Sequence, residues 1–349
     1  MNRIVSIVGA RPNFIKLAAL DPELRKNFAH IIIHSGQHYD YDMSQSFFSE
    51  LKIPEPDFNL RVGSESHAQQ TAKILFGCEQ KLREIKPSLV IVYGDVNTTL
   101  AGSLAAAKLN LPVAHVEAGL RSFDKSMPEE INRIVADHTS SLLFCPSHTA
   151  LFNLKKENLK KKAFFTGDVM YDIFCKINPD YSVLKLNNLK SKGYYFATIH
   201  RQENTNSPSR LEKIFNILNS LDKRVILPLH PRTKKFLSEV DAKVNNIKII
   251  RPVKYSQSLA LQKESSVILT DSGGIQKEAY WQKIPCITFR NSTEWPETVA
   301  TGWNILTDCD QKSVVNYLGK SQTPKSHPNL YGNGKAAEEI FVIMKNFLQ

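Results

Sequence analysis

Apolar positions along this 349-residue chain come in short solid blocks separated by longer stretches of helical period. Ile4-Val5-Ser6-Ile7-Val8, Ile31-Ile32-Ile33, Leu89-Val90-Ile91-Val92, Val113-Ala114-His115-Val116, Leu142-Leu143-Phe144 and Ala163-Phe164-Phe165 are almost wholly apolar, the pattern of strands covered on both faces. Gly9-Ala10-Arg11-Pro12 turns from the first of these into a helix, with Pro12 suited to its first turn. Ser66 precedes a long helix with Ile74, Leu75, Cys78, Leu82 and Ile85 on one side, ended by Pro87. A further helix runs through Leu100 to Leu109. Between about Asp172 and Lys192 the pattern thins into Asn, Lys, Pro and Ser, which predicts a linker. Alternation restarts at Tyr194–Ile199 and continues through Val225–Leu227, Ile247–Ile250, Ser266–Leu269 and Cys286–Phe289. The segment from Gly334 to Leu348 reads as one amphipathic helix.

Strands alternating with helices predict parallel sheets wrapped by helices. Two such halves predict an α/β chain of two doubly wound, Rossmann-like domains facing across a cleft. The expected domains are residues 1–171 and 172–334. In this architecture ligands sit beyond the carboxyl ends of the strands, so polar residues just after strands are the ones to weigh.

Composition narrows the class. Hydrophobic residues make up 42% of the chain, with ordinary Gly and Pro counts of 15 and 17, as in globular proteins with cores of their own. No apolar run approaches the ~20 residues that span a bilayer, so no membrane insertion is expected. The opening segment reads as a strand rather than a leader, and the expected location is cytoplasmic. The five cysteines, at 78, 145, 175, 286 and 309, have no Cys-x-x-Cys spacing, and Cys145 and Cys286 lie in apolar runs. That usage suits a reducing compartment and argues against a metal site. The net charge of +11 is densest at Lys155-Lys156 and Lys160-Lys161-Lys162, without interleaved aromatics. It reads as a solvated helix face rather than a nucleic-acid surface, and its field suits an anionic small substrate.

The candidate chemistry follows the strands. Asp271-Ser272-Gly273-Gly274 closes one strand and opens a helix through Ile275, Glu278 and Tyr280. Such a helix start offers unpaired N–H groups, and two glycines let a phosphate approach them. A tight turn capped by Ser or Asp accounts for these residues equally well. Glu278, one turn in, is placed to hold vicinal hydroxyls such as those of a ribose. Arg11 and Lys16 flank the first helix start without near neighbours to neutralise them, and suit an anion there. Asp95 follows a strand, where an acid is by default a helix cap. Glu117 closes a buried strand, which capping explains less well. Glu129 and Glu130 open a helix, where the dipole favours acids in any case. His200-Arg201 and His230-Pro231-Arg232 each follow a strand, and two histidines beside arginines suit a diphosphate. One half thus offers three carboxylates and two cations, the other a phosphate seat and histidines. The division fits a sugar nucleotide, with its sugar on the first half. No Gly-x-Gly-x-x-Gly follows a strand, which argues against a nicotinamide enzyme.

Six motifs occur in order. They are Gly9-Ala10-Arg11-Pro12-Asn13-Phe14-Ile15-Lys16, Ser35-Gly36-Gln37-His38-Tyr39-Asp40, Tyr93 to Gly102 (with Gly94-Asp95-Val96-Asn97), His115-Val116-Glu117-Ala118-Gly119-Leu120-Arg121-Ser122, Met127-Pro128-Glu129-Glu130-Ile131-Asn132-Arg133 and Asp271 to Glu278. From end to end the chain resembles the non-hydrolysing UDP-N-acetylglucosamine 2-epimerases. The resemblance implies a glycosyltransferase-B type of fold, with the last helix, 335–349, returning to the first domain. It implies interconversion of UDP-N-acetylglucosamine and UDP-N-acetylmannosamine for cell-surface polysaccharide, without a cofactor, by a homodimer. Matched position by position, it implies Asp95, Glu117 and Glu129 as catalytic acids and His200 as catalytic histidine. It implies Arg11, Lys16, Ser272, Gly273, Gly274 and Glu278 as UDP-binding residues.

One departure stands out: the family commonly reads Thr-Glu-Arg-Pro-Glu where this chain has Thr293-Glu294-Trp295-Pro296-Glu297. Tryptophan there resembles the branch acting on UDP-2,3-diacetamido-2,3-dideoxyglucuronate, as does Gly167-Asp168-Val169-Met170. The Gln37-His38 pair resembles part of a regulatory substrate site, but the residues after it differ from that motif. The implied chemistry is consistent with the residues. The C2 hydrogen of an N-acetylhexosamine is not beside a carbonyl, so it is removed as the anomeric bond breaks and UDP departs. That asks for acid and base groups, which the three carboxylates supply, and for leaving-group stabilisation, which a helix start with Arg11 and Lys16 supplies.

Overall fold

The apolar blocks assemble into two wholly parallel sheets in the computed structural model, which describes residues 2–37, 53–237, 244–320 and 323–349. The first sheet contains β1 (Arg3–Val8), β2 (Ala29–His34), β3 (Phe58–Asn59), β4 (Leu89–Tyr93), β5 (Val113–Val116), β6 (Leu142–Cys145) and β7 (Ala163–Phe165), in the order β3-β2-β1-β4-β5-β6-β7. The second contains β8 (Tyr194–Thr198), β9 (Arg224–Pro228), β10 (Ile247–Ile250), β11 (Ile268–Thr270), β12 (Cys286–Thr288) and β13 (Asn304–Leu306), in the order β10-β9-β8-β11-β12-β13. The strand order reverses between β1 and β4 in one sheet and between β8 and β11 in the other. At such switch points neighbouring loops leave in opposite directions and open a crevice beyond the strand ends. β3 and β13 lie at the edges of the two sheets; β3, with two residues, is too short to register as an apolar block, and β13 opens on the polar Asn304.

The chain divides into two compact units, Met1–Lys176 with Asn329–Gln349, and Ile177–Pro328. The expected boundaries at 171/172 and 334/335 lie a few residues from these. The thin segment read as a linker carries two helices, Val169–Lys176 and Ser182–Leu186. Val169, Met170 and Ile173 of the first are buried, so it belongs to the first unit rather than to a tether. It also anchors the end of the chain. The Asp172 carboxylate accepts the N–H groups of Ala336 (3.0 Å) and Ala337 (2.8 Å), capping the helix Ala336–Phe347 from another element. Phe341 of that helix packs on Phe28, with ring centroids 5.7 Å apart.

The lysine run needs a correction. Lys162 is no mere solvated charge: its ammonium donates to the carbonyls of Asp137 (3.1 Å), His138 (3.2 Å) and Ser140 (2.6 Å), closing the end of the helix Pro128–Thr139. Cys78, Cys145 and Cys286 are buried, and burial pushes the Cys78 and Cys286 thiols up to about 12. No described helix is long and apolar enough to cross a membrane.

Candidate active site

In the first unit the β1–β4 switch point is built around backbone turns. The helix Arg11–Arg25 begins just after β1, and buried Asn13 ties its start to the end of β4. The Asn13 side-chain oxygen accepts from Gly9 N (3.1 Å) and Ala10 N (3.2 Å), while its amide donates to the Tyr93 carbonyl (2.9 Å). One turn further, Lys16 extends its ammonium to the carboxylate of Glu117, and both side chains are almost fully buried. Lys16 is therefore not the unneutralised cation expected from its sequence neighbours; its partner lies 101 positions away. Gly94 makes room for the pair. Its φ is +61°, and a methyl group there would lie 2.7 Å from Lys16 Nζ and 3.5 Å from Glu117 Oε1.

Glu117 itself has a φ of +73°, a left-handed conformation that costs a non-glycine residue about 1 kcal/mol or more. The turn is held because Glu117 N and Ala118 N both donate to the Phe144 carbonyl, at 3.1 and 3.0 Å. Asp95 does not cap the following helix, Asn97–Lys108, whose N-cap is Val96. Its Oδ2 instead accepts from Arg133 Nη2 (2.8 Å) and Nε (3.1 Å), and it remains part-exposed. Arg133 also donates to Glu130 (2.7 Å), which accepts the N–H groups of Ser122 (2.8 Å) and Phe123 (3.0 Å). Of the two acids opening Pro128–Thr139, Glu130 is thus a buried brace, while Glu129 is half-buried with no polar partner among the described residues of its unit.

Beneath both acids lies Asp137. It accepts from His115 Nδ1 (2.7 Å), Arg121 Nη1 (2.7 Å) and Gly119 N (3.1 Å). The other nitrogen of His115 meets the Gly94 carbonyl at 2.7 Å, so the ring bridges Asp137 and the Gly94 turn. Burial alone would raise the Asp137 carboxyl, but His115 and Arg121 together hold it below its ordinary value. Arg121 is fixed in turn by two 2.7 Å bonds to Glu157. The residues Gly94 to Asp95 and Glu117 to Arg121 therefore share one buried support.

In the second unit the β8–β11 switch point brings His200 beside the start of the helix Gly273–Gln282. Asp271 is fully buried and accepts His200 N (3.0 Å), Arg201 N (2.9 Å) and the Asn204 amide (3.1 Å). The His200 ring, 3.7 Å from Asp271 through Nδ1, stacks on His230 with centroids 5.0 Å apart. Ser272 is the N-cap, but its side chain makes no capping bond, so the turn-with-cap reading is not realised. The first N–H groups of a helix lack intrahelical partners, and here they open on glycines. A methyl group at Gly273 would lie 3.3 Å from Trp295 Nε1 and 3.5 Å from Arg201 Nη2. Glu278 is buried and accepts from Gln262 Nε2 at 2.7 Å. Trp295 is 4% exposed, and the ammonium of buried Lys277 lies 3.9 Å from its ring centroid, a cation–π contact.

The UDP-N-acetylglucosamine 2-epimerase family matches residues 22–345. The chain belongs to this family. A UDP-N-acetylglucosamine 2-epimerase homolog of Methanococcus maripaludis is 46% identical, over 99% of this chain and 99% of its own. A UDP-2,3-diacetamido-2,3-dideoxy-D-glucuronate 2-epimerase of Pseudomonas aeruginosa is 41% identical, over 97% of this chain and 98% of its own. The crystal structure of Methanocaldococcus jannaschii UDP-GlcNAc 2-epimerase with UDP-GlcNAc and UDP is 42% identical, covers 99% of each chain and superposes with a TM-score of 0.91. The fold is of glycosyltransferase-B type, and the chain is an enzyme of the UDP-sugar 2-epimerase class.

In this epimerase, the residues expected from sequence fall into two groups, one per unit. Asp95, Glu117 and Lys16 lie at the ends of β4 and β5 and in the first helix, while Glu129 opens Pro128–Thr139. His200, Ser272, Gly273, Gly274 and Glu278 belong to the second unit. Arg11 opens its helix, and only its backbone is described. Gln37 is buried, and its side-chain oxygen accepts from Thr98 N (3.0 Å) and Oγ1 (2.7 Å); it braces the start of Asn97–Lys108, and His38 lies outside the described residues. Sequence reasoning gave no role to Arg133 or Asp137, while it weighed Asp271 as a cap and Arg201 as one of the arginines that suit a diphosphate. The signal for the first two was present: Glu130, Arg133 and Asp137 recur at helical spacing on the buried face, where apolar residues are the rule.

Proposed function

We propose that the chain interconverts UDP-N-acetylglucosamine and UDP-N-acetylmannosamine by eliminating and re-adding UDP. The observation that carries this reading is the buried Glu117–Lys16 pair at the switch point, with Glu117 in a strained backbone beside the Gly94-Asp95 turn. A carboxylate takes the C2 proton while the C1–O bond breaks and UDP leaves with the bonding electrons, giving 2-acetamidoglucal. A second acid returns a proton to the opposite face of C2 as a UDP oxygen adds back to C1. Asp95, Glu117 and Glu129 serve these proton transfers. Lys16 keeps Glu117 in place and, with Arg11, offers positive charge to the departing diphosphate. The start of Gly273–Gln282, at Ser272, Gly273 and Gly274, takes the diphosphate, Glu278 the ribose hydroxyls, and His200 acts beside the leaving group. No cofactor is required, because the route neither gains nor loses electrons. The same reading makes the enzyme a cytoplasmic homodimer supplying a cell-surface polysaccharide precursor, which the family resemblance supports.

A second reading keeps the mechanism and changes the sugar to UDP-2,3-diacetamido-2,3-dideoxyglucuronate. Trp295, in place of an arginine, favours it, as does the Pseudomonas aeruginosa relative. Incubation with either UDP-sugar alone, followed by proton NMR of the anomeric signals, separates the possibilities. The expected result is the 2-epimer in equilibrium with its substrate and no free sugar. Turnover that appears only after an acceptor is added would identify a glycosyltransferase instead. Release of free N-acetylmannosamine with UDP would identify a hydrolysing enzyme.

A further inference from the structure

Four polar side chains of the first unit form a hydrogen-bonded chain among strands that otherwise bury apolar residues. Tyr93, the last residue of β4, brings its hydroxyl to Ser6 Oγ of β1 at 2.7 Å. Ser6 Oγ lies 2.8 Å from Nε2 of His30 in β2, and His30 Nδ1 lies 2.7 Å from Oδ1 of Asp21 in the helix Arg11–Arg25. Arg25 Nε donates to the same oxygen at 2.7 Å from a part-exposed position, so the chain runs from the surface into the sheet. Ser6, His30, Asp21 and Tyr93 are all buried. Burial pushes the Tyr93 hydroxyl above its ordinary value, so it keeps its proton and can donate it. With Asp21 accepting from Nδ1, the neutral His30 ring accepts the Ser6 O–H at Nε2, and Ser6 accepts the Tyr93 O–H. Every member is satisfied, and both hydroxyls donate toward the carboxylate.

Apolar residues of similar shape could fill these positions with little loss of stability. What the polar chain adds is a fixed Tyr93. The Tyr93 carbonyl accepts from Asn13 Nδ2 (2.9 Å), in the helix that carries Lys16, and from Thr99 Oγ1 (2.6 Å), in the first turn of Asn97–Lys108. The next residue, Gly94, donates to the Val116 carbonyl at 2.9 Å, immediately before Glu117. One residue thus joins the elements that carry Asp95, Glu117 and Lys16. Its own side chain is fully enclosed and does not reach substrate. Resting on the proton-transfer roles proposed above for Asp95 and Glu117, we infer that Tyr93 is a positioning residue for the elimination, held from within the sheet by the Ser6–His30–Asp21 chain.

The test is a double-mutant cycle on steady-state epimerisation, with thermal melting and UDP affinity measured beside it. Tyr93→Phe removes only the hydroxyl, and Ser6→Ala only its partner. Each should lower kcat about 10-fold or more, the scale of a small misplacement of reacting groups, with KM and UDP affinity unchanged. The double variant should fall no further than the worse single one, because both changes break the same chain. A chain that serves stability alone would lower melting and leave turnover per folded molecule intact. Wild-type kcat in the folded single variants therefore overturns the inference and leaves the proposed reaction standing. So do losses that multiply in the double variant, or a loss seen in KM rather than kcat. Should Tyr93→Phe fail to fold, Ser6→Thr, which keeps the hydroxyl, must turn over faster than Ser6→Ala; equal kcat in the two overturns the inference. A wild-type chain that epimerises neither UDP-sugar overturns the underlying reading, and the inference with it.

Discussion

Glu117→Gln should lower epimerase turnover by about 10³-fold, the scale of a lost general acid or base, while UDP binding persists. Gln keeps the shape of the side chain but cannot accept a proton from carbon. The substitution also leaves the Lys16 ammonium buried beside a neutral amide, which costs about 3 kcal/mol of stability. The two effects separate by measurement. Turnover is read at a temperature where the variant's melting curve shows it folded, and UDP affinity is read by calorimetry on the same sample. In the proposed site Ser272, Gly273, Gly274 and Glu278 of the second unit hold most of UDP, and Lys16 keeps its charge in the variant, so UDP binding should persist. Near-normal turnover in a folded variant would remove Glu117 from the catalytic set. Loss of UDP binding together with turnover would show that the carboxylate matters for structure rather than for proton transfer.

Asp137→Ala should be the most damaging substitution away from the sugar chemistry. The carboxylate is fully buried and holds His115, Arg121 and the Gly119 amide, and through His115 it reaches the Gly94 carbonyl. Removing it leaves buried donors without an acceptor, a class of change that costs about 3–5 kcal/mol. The turns carrying Asp95 and Glu117 lose their common support, so turnover should fall even in the fraction that folds. The pH dependence has a definite sign. Because the folded-state value of Asp137 is depressed, its contribution is fully present above the ordinary aspartate value of 3.8 and is lost as pH falls through the lower folded value. The stability gap between wild type and Asp137→Asn in urea unfolding should therefore be flat from neutral pH to about pH 5 and close below 3.8. A gap that persists unchanged at lower pH would show that the carboxylate's charge is not what matters.

Much of the architecture was legible because parallel strands buried on both faces leave solid apolar blocks, and eleven of the thirteen strands did so. What escaped had physical reasons. β3 has two residues, too few to form a block, and β13, as short as β7, β11 and β12, opens on the polar Asn304. The helix Val169–Lys176 runs into, and Ser182–Leu186 lies within, the stretch from Asp172 to Lys192 read as a linker, where packing of Ile173 and Val183 overrides weak local preference. Asp95, Glu117, His200 and the Ser272 turn were read as following strands, and the structure has them there. Pairing was not legible, since the Lys16–Glu117 and Arg133–Asp95 contacts join residues 101 and 38 positions apart. A local reading made Lys16 an unneutralised cation and Asp95 a cap by default, and both were corrected by a partner from elsewhere in the chain.

The central claim is that C2 loses and regains a proton while UDP is off the sugar. Running the NMR assay in deuterated water tests it most directly. The account predicts one deuterium at C2 in the epimerised product, and in the recovered substrate as the reaction nears equilibrium. Epimer formed with protium at C2 would contradict it.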